Sequence, residues 1–410
     1  MAKYKEYGYD IQDGKAIIPE WETEIKEEAF WGCEELTSVE FPQRIKKIEK
    51  EAFWGCYSLT SISIPPSVTE IGNYAFHGCS SLTSITIPPT VTKIKGGSLG
   101  GGTFSGCSCL TSISIPPTVT EIGDWAFSGC STLASITIPA SVTKIGNAAF
   151  SHCSNLTSIT VSKENKVYDS REDCNAIIHT ESNTLIQGCE NTIIPPSVTK
   201  IENWAFLACS SLTSITIPPS VKKIGEHAFY YCSSLTSITI PPSVTEIGDR
   251  AFSGCSSLTS ISVSKDNKVY DSREDCNAII HTESNTLIRG CENTVIPPSV
   301  TMIKDCAFEG CSSLTSISIP PSVTEIGDMA FEGCSSLTSI TIPPSVTEIG
   351  WGAFCACSSL TSITIPPSVT EIREYAFSYY SSLTEVRIPK GCNVDDYAFY
   401  NSPNVQIIRY

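Results

Sequence analysis

The segment SVTEIGDMAFEGCSSLTSITIPPSVTEIG, residues 322–350, contains its own first six residues twice, at 322–327 and at 345–350. Closely similar copies recur along most of the 410-residue chain, usually 23 residues apart. A fixed period of this length is typical of an array of stacked coils. One phenylalanine in each copy marks the period, and these are Phe30, Phe53, Phe76, Phe104, Phe127, Phe150, Phe206, Phe229, Phe252, Phe308, Phe331, Phe354, Phe377 and Phe399.

Each copy combines pieces with different secondary-structure preferences. LTSITI has β-branched residues at strand spacing, and the prolines after it end the strand because proline lacks a ladder donor. SVTEI predicts a second short extended piece, and GDMAFEGCSSL predicts a short helical or 3-10 turn. A lone coil cannot cover its apolar side chains, whereas neighbours on both sides can. The sequence therefore predicts a mostly β solenoid with parallel strands.

Two insertions interrupt the period. Residues 162–194 and 264–296 have nearly identical sequences 102 residues apart, which indicates that three coils and an insertion were duplicated as one block. The first insertion predicts a β-hairpin with a two-residue turn at Glu181–Ser182. Residues 1–23 and 381–410 depart from the consensus, and we expect them to form the N-terminal and C-terminal caps of the array. The whole chain, 1–410, is predicted to be a single solenoid without an appended domain.

Twelve of the twenty cysteines occupy one position, three residues after the marker phenylalanine. Cysteine is small and readily buried, so this column predicts stacked reduced thiols. The hairpin register pairs the cysteines of each insertion, which makes a cross-strand disulfide geometrically feasible. Reduced cysteines packed on the coil are the alternative, and export would favour the disulfide. The two predicted pairs are Cys174 with Cys189 and Cys276 with Cys291.

The formal net charge of −16 argues against nucleic acid and anionic membranes as partners, because both require basic patches. No apolar run is long enough to span a bilayer, so we expect no membrane insertion. The first fifteen residues lack the apolar core of a signal peptide, which leaves a cytoplasmic location open.

The sequence shows no arrangement of residues that predicts catalysis. None of the five histidines belongs to an HExxH motif, and no phosphate-binding loop is present. The glycine-rich segment KGGSLGGG, which begins at Lys95, predicts a bulge at one corner of a coil. The CxC pairs at 107–109 and 355–357 lack the second half of a metal knuckle. We therefore expect no enzyme activity, no cofactor and no metal site.

The repeat consensus IPPSVTEIG..AF.GCSSLTSI resembles the leucine-rich repeats of the BspA-like, or Treponema pallidum-type, proteins, over about residues 15–405. The resemblance implies a right-handed leucine-rich-repeat solenoid: a curved single body with a parallel β-sheet on one face and short extended, 3-10 or helical segments on the other. It also implies a bacterial or protist protein whose relatives often lie at cell surfaces or are secreted, and bind proteins or host matrix.

Two positions vary freely among the copies, namely the residue before each Ala-Phe pair and the residue after it. A buried column would not tolerate Gly, Arg and Trp at one place, so we expect these side chains to point outward. Trp, Tyr and Arg dominate interface energies, and contiguous exposed aromatics mark contact surfaces. Neutral drift at surface sites is the alternative. The predicted binding residues are Trp31, Trp54, Tyr74, His77, Trp125, Trp204, His227, Tyr230, Arg250 and Tyr375.

The strands would also present a flat face rich in threonine and serine, for which solubility and strand propensity give a sufficient reason. The leading hypothesis is a non-enzymatic, monomeric scaffold that recognises other proteins, including adhesion to a host or neighbouring cell. The alternative is a glycan-binding module that uses the hydroxyl-rich face.

Overall fold

The computed structural model describes residues 3–98 and 100–410. The chain divides into two compact units, residues 1–211 and 212–410, and each is described by itself. In both units a typical coil contributes one longer strand to a front ladder and one two-residue strand to a back ladder. The predicted parallel-stranded solenoid is confirmed.

In the first unit a short helix, Lys3–Glu6, precedes a hairpin of Asp10–Gln12 and Lys15–Ile17. The front ladder continues through Ser38–Glu40, Ser61–Ser63, Ser84–Thr86, Ser112–Ser114, Ser135–Ile138 and Ser158–Val161. The back ladder comprises Glu24–Ile25, Lys47–Ile48, Glu70–Ile71, Lys93–Ile94, Glu121–Ile122, Lys144–Ile145 and Lys200–Ile201. The insertion contains Tyr168–Asp169, a 3-10 turn at Arg171–Asp173, and the strands Ile177–His179 and Thr184–Gln187.

The second unit repeats this plan. Its front ladder comprises Ser237–Ile240, Ser260–Val263, Ser316–Ser318, Ser339–Thr341, Ser362–Thr364, Glu385–Ile388 and Gln406–Arg409. Its back ladder comprises Lys223–Ile224, Glu246–Ile247, Met302–Ile303, Glu325–Ile326, Glu348–Ile349, Glu371–Ile372 and Asn393–Val394. Its insertion contains Tyr270–Asp271, a 3-10 turn at Arg273–Asp275, and the strands Ala278–His281 and Thr286–Gly290.

The alternation of side chains along the front strands decides which face is the core. In Ser61–Ser63 the two serines are exposed and Ile62 is buried. Equivalent residues pair in parallel register, so Ile62 lies beside Ile85 of the next coil. Each isoleucine thereby covers its neighbour and adds to one continuous apolar column.

The third side of each coil, here called the turn edge, runs from the back strand through the marker phenylalanine to the next front strand. It consists of successive tight turns, such as the one closed by the His77 amide donating to the Tyr74 carbonyl oxygen (3.0 Å). Backbone hydrogen bonds also join adjacent coils here, as from the Phe53 amide to the Ala75 carbonyl oxygen (2.8 Å). The turn edge therefore holds neighbouring coils together much as the two ladders do.

The marker phenylalanines form a column of nearly parallel rings inside the stack. In the first unit the Phe53 ring lies between those of Phe30 and Phe76, with centroids 5.2 and 5.3 Å away. Tyr4 and Tyr9 stack on the outer face of Phe30, at 5.8 and 5.7 Å. The N-terminal helix and hairpin thus cover the end of the column, which would otherwise expose a ring face to water.

The cysteine column has a hydrogen-bonding role beyond filling space. Each buried thiol in a regular coil lies beside the phenylalanine carbonyl oxygen of the preceding coil, as Cys130 Sγ does with Phe104 (3.3 Å). In the last two coils, where cysteine is absent, a hydroxyl donates to the same acceptor. These bonds run from Tyr380 Oη to the Phe354 carbonyl oxygen (2.6 Å) and from Ser402 Oγ to that of Phe377 (3.0 Å). The position therefore requires a donor, because the carbonyl is buried.

The insertion hairpins depart from the predicted register. In the first copy Ile178 pairs with Leu185 as predicted, but a bulge next to Ile178 shifts the following pairs by one residue. The turn spans residues 180–183 rather than two residues. The second hairpin has the same bulge, so the cysteines beyond it do not face each other in the predicted register. All four are free, buried thiols, and neither predicted disulfide is formed in this structure: Cys174, Cys189, Cys276 and Cys291.

Candidate functional site

The variable positions of the repeat lie on the turn edge. The residue before each Ala-Phe pair has a left-handed backbone in most coils, with φ of 59° at Tyr74, 58° at Trp125 and 52° at Arg250. The residue two places after the phenylalanine is also left-handed and is usually glycine, which adopts this conformation without penalty. For a residue with a Cβ the left-handed region costs roughly 1–2 kcal/mol. The first position therefore carries large side chains at an energetic cost.

We expect the side chains at both variable positions to point outward, and the structure shows this for only some of them. Trp31 is 58% exposed, and the other nine predicted binding residues are half-buried. The expectation is wrong for several other members, whose side chains are buried. These are Ala148, Cys306, Ser128, Leu207, Glu309, Cys355 and Ser378.

Three of the predicted residues form an aromatic cluster in the first unit. The Trp54 ring lies 4.0 Å from that of His77 and 5.2 Å from that of Tyr74. The glycine-rich bulge packs against them, since a Cβ on Gly97 would lie 2.3 Å from Tyr74 Cζ. Tyr74 Oη also donates to the Ser98 carbonyl oxygen (2.8 Å). Burial lowers the pKa of His77, so this histidine is neutral at physiological pH and the cluster carries no charge of its own.

A second contact in the first unit joins Trp125 and Trp204, whose ring centroids are 6.4 Å apart. They belong to coils that flank the coil of Ala148, which is small and buried. The insertion does not separate these coils along the turn edge, because the His152 amide donates directly to the Leu207 carbonyl oxygen (3.4 Å). Two tryptophans 79 residues apart in sequence therefore form one surface.

In the second unit His227, Tyr230 and Arg250 meet around a buried carboxylate. Tyr230 Oη donates to Glu309 Oε1 (3.0 Å), and Arg250 Nε lies 3.8 Å from Glu309 Oε2. The His227 ring is edge-on to that of Tyr230, with centroids 5.0 Å apart. Burial, and then the Glu309 carboxylate, raise the pKa of Tyr230, so its hydroxyl stays protonated as the donor.

The duplicated block has diverged at this place. Buried Arg289 donates from Nη1 to the backbone carbonyl oxygens of Cys306 (3.2 Å) and Glu309 (3.1 Å). The equivalent residues in the first copy, 102 positions earlier, are Gln187, Trp204 and Leu207. One copy therefore presents an aromatic surface and the other an ionic one, although their backbones follow the same plan. Glu309 is the residue that sequence reasoning missed here, and the sequence shows only that it stands where the first copy of the block has Leu207.

A third cluster lies near the end of the second unit and includes only one predicted residue, Tyr375. Its ring contacts Trp351 at 5.6 Å and Tyr400 at 5.8 Å. Tyr379 also packs on Tyr400, at 5.6 Å. Trp351 lies three residues before its marker phenylalanine, and Tyr379 lies two residues after its own. Both are therefore outside the two variable positions from which the binding residues were predicted. Tyrosine in place of the usual left-handed glycine was the available signal for Tyr379.

One row of threonines on the hydroxyl-rich front face is occupied with hydrogen bonds between coils. Thr60 Oγ1 donates to the Thr37 carbonyl oxygen and Thr83 Oγ1 to that of Thr60, both at 3.3 Å. Further along, the Thr137 and Thr160 hydroxyls bond to each other (2.9 Å). These hydroxyls stabilise the ladder from one coil to the next.

Residues 3–98 and 100–410 contain neither a candidate metal site nor a candidate membrane-spanning helix. No three histidine, cysteine or acidic side chains in these ranges come together as metal ligands would. The helical segments in the same ranges fall short of the length and hydropathy that crossing a bilayer requires.

Comparison with known proteins gives consistent results. A model of the BspA type leucine rich repeat region (6 copies) matches residues 10–99, 97–176, 176–277 and 284–406. A leucine rich cell surface protein from Faecalibacterium prausnitzii A2-165 is 30% identical, with 98% of this chain and 92% of that chain covered and a TM-score of 0.50. A leucine-rich repeat protein from Eubacterium ventriosum is 23% identical, with 98% and 93% covered and a TM-score of 0.55. No curated protein matches the chain.

Proposed function

The chain belongs to the BspA-type leucine-rich-repeat family, and from this membership we propose that it is a non-enzymatic scaffold that recognises other proteins through its turn edge. Adhesion to a host or neighbouring cell is the form of recognition proposed, since a 30% identical relative is a cell surface protein. The ladders and the phenylalanine column serve the fold. The variable side chains of the turn edge are left for recognition.

One observation carries this proposal. The left-handed position before Ala-Phe holds Tyr74, Trp125, Trp204 and Tyr375, although glycine would adopt the same backbone without strain. Residues kept in sparsely populated backbone regions cluster at functional sites, where a gain elsewhere offsets the strain. Aromatic residues in this row are half-buried platforms of the type that dominates protein interfaces.

The test uses a phage-displayed peptide library selected on the wild-type protein, followed by affinity measurement on two variants. Trp125→Gly with Trp204→Gly removes both rings and suits the left-handed backbone, so the fold is retained. Ser61→Ala with Ser84→Ala alters the exposed front face and is the matched control. We expect the first variant to weaken binding of the selected peptides at least ten-fold and the second to leave it unchanged. Unchanged affinity of the tryptophan variant would contradict the proposal.

A glycan array with the same two variants tests the alternative. Binding to glycans that the Ser61→Ala, Ser84→Ala variant loses would move the function to the front face. The expected result is no glycan bound by the wild type, because the threonine hydroxyls of that face already donate within the ladder.

A further inference from the structure

The third aromatic cluster, formed by Trp351, Tyr375, Tyr379 and Tyr400, borders an open cavity of ≈ 250 Å³. Its walls combine three aromatic rings, one thioether, one thiol and a single carboxylate. The lining residues are Met329, Glu332, Trp351, Gly352, Cys355, Tyr375 and Tyr379. No basic side chain is among them.

The aromatic walls meet at steep angles and are held from behind. The Trp351 and Tyr375 rings are inclined by 78°. Behind them, Tyr400 is inclined by 82° to Tyr375 and by 74° to Tyr379, so both tyrosines of the cavity rest on one ring. The Trp351 amide donates to Asp328 Oδ1 (2.7 Å), which fixes the tryptophan backbone. A cavity with perpendicular ring faces offers negative π-density from more than one side.

Among the described residues the carboxylate in the wall forms no ion pair, although the Arg250 guanidinium lies near it, with Nη2 3.3 Å from Met329 Sδ. Glu332, which carries this carboxylate, is half-buried, and within the same part of the chain the carboxylate forms no hydrogen bond. Burial, and then the Glu309 carboxylate, raise the pKa of Glu332, while Arg250 acts in the opposite direction. Residues 321–410 contain nine acidic and only four basic side chains, so the surroundings also favour a cation.

We propose that this cavity binds a quaternary ammonium group, with Trp351, Tyr375 and Tyr379 contacting the methyl groups and Glu332 supplying the charge. A methylated ammonium is preferred over a primary one, because the primary ion needs several hydrogen-bond acceptors and this wall offers one carboxylate. The group could be carried by a small molecule such as choline or by a trimethyl-lysine side chain. This site is independent of the aromatic surfaces in the first unit.

Isothermal titration of the full chain with tetramethylammonium, choline and a trimethyl-lysine peptide tests the proposal. The neutral isostere 3,3-dimethylbutanol and the unmethylated lysine peptide are the matched ligands. We expect choline and the trimethyl-lysine peptide each to bind on the order of ten-fold more tightly than its matched ligand, and tetramethylammonium to bind as well. Equal affinity of choline and the peptide would assign a free headgroup, whereas binding of the peptide alone would assign a methylated protein.

Variants separate this site from any other. Trp351→Ala should abolish binding, and Glu332→Gln, which keeps the size of the side chain, should weaken it several-fold. Trp21→Ala removes an exposed tryptophan of the first unit that belongs to no proposed binding surface, and it should change nothing. Circular dichroism confirms the fold of each variant. The proposal is overturned if the neutral isostere binds equally well, if Trp351→Ala leaves the affinity unchanged, or if no quaternary ligand binds.

Discussion

Replacing Tyr380 by phenylalanine removes one oxygen atom and tests why the cysteine column exists. Tyr380 occupies the cysteine position of its coil and is fully buried, and its hydroxyl donates to the Phe354 carbonyl oxygen (2.6 Å). Phenylalanine preserves the ring and its packing. The carbonyl would then lie in the core without the donor that every regular coil supplies to it.

The expected loss follows from that single acceptor. An unsatisfied buried acceptor costs about 1–3 kcal/mol, and we expect about 2 kcal/mol because no water can reach the site. For a folding unit of this size such a loss lowers the melting temperature by roughly 4–8 °C. Thermal and urea unfolding, followed by circular dichroism, measure both quantities.

The cysteine of the preceding coil provides the control. Cys357 Sγ lies 3.2 Å from the Phe331 carbonyl oxygen. Cys357→Ser keeps a donor at this place, as Ser402 does naturally two coils later, whereas Cys357→Ala removes it. The serine variant should therefore be the more stable of the two. A Tyr380→Phe protein as stable as the wild type, or equal stability of the two Cys357 variants, would refute the donor argument.

Three further predictions concern backbone strain, thiols and acid stability. Ala356 occupies the left-handed position that is usually glycine, so Ala356→Gly should stabilise the protein by about 1 kcal/mol and Gly333→Ala should destabilise it similarly, as measured by urea unfolding. A thiol reagent should label Cys109, the exposed cysteine, rapidly in the native protein and all twenty cysteines in denaturant. The pKa of Asp169 is lowered because bonds from Arg171 and Thr180 outweigh its burial, and that of Asp271 is lowered in the same way. The two ionised carboxylates stabilise the folded protein above about pH 4, and this stabilisation is lost as the pH falls through their folded pKa. The double variant Asp169→Asn with Asp271→Asn should therefore show a melting temperature that depends less on pH between about 5 and 3.

Each of these predictions has an outcome that contradicts it. Equal stabilities of the glycine and alanine proteins would mean that the left-handed positions store no strain. A count of sixteen thiols in denaturant would show that both hairpin disulfides form after all. If the melting temperature depended equally steeply on pH in the wild type and in the double asparagine variant, the two aspartates would have no part in acid unfolding.

The sequence was sufficient to predict the coils but not the conformation of the turn edge. The 23-residue spacing of phenylalanine and the prolines after LTSITI determine where strands begin and end. Glycine two places after phenylalanine signals a left-handed residue, but Trp125 and Arg250 do not, because large side chains rarely adopt that conformation. The hairpin bulge has no sequence signal at all, and it alone invalidated the predicted cysteine register.

The role of the cysteine column was within reach of the sequence. Tyr380 and Ser402 replace the cysteine in the last two coils, and the three residue types share only a polar hydrogen and a buried setting. The aromatic clusters were harder to foresee, since side chains such as Trp125 and Trp204 meet only once the insertion is known to lie away from the turn edge. Glu309 required knowledge of its partners, because Arg289 comes from the insertion and Arg250 from another coil.

Radical footprinting of the protein with a bound library-selected peptide tests most directly whether the turn edge is the contact surface. Oxidation of Trp125 and Trp204, measured by mass spectrometry, should fall several-fold when the selected peptide is bound. The oxidation of the proteolytic fragments that contain the front strands Ser61–Ser63 and Ser84–Thr86 should stay unchanged. Protection confined to the front strands, with both tryptophans oxidised as in the free protein, would contradict the account.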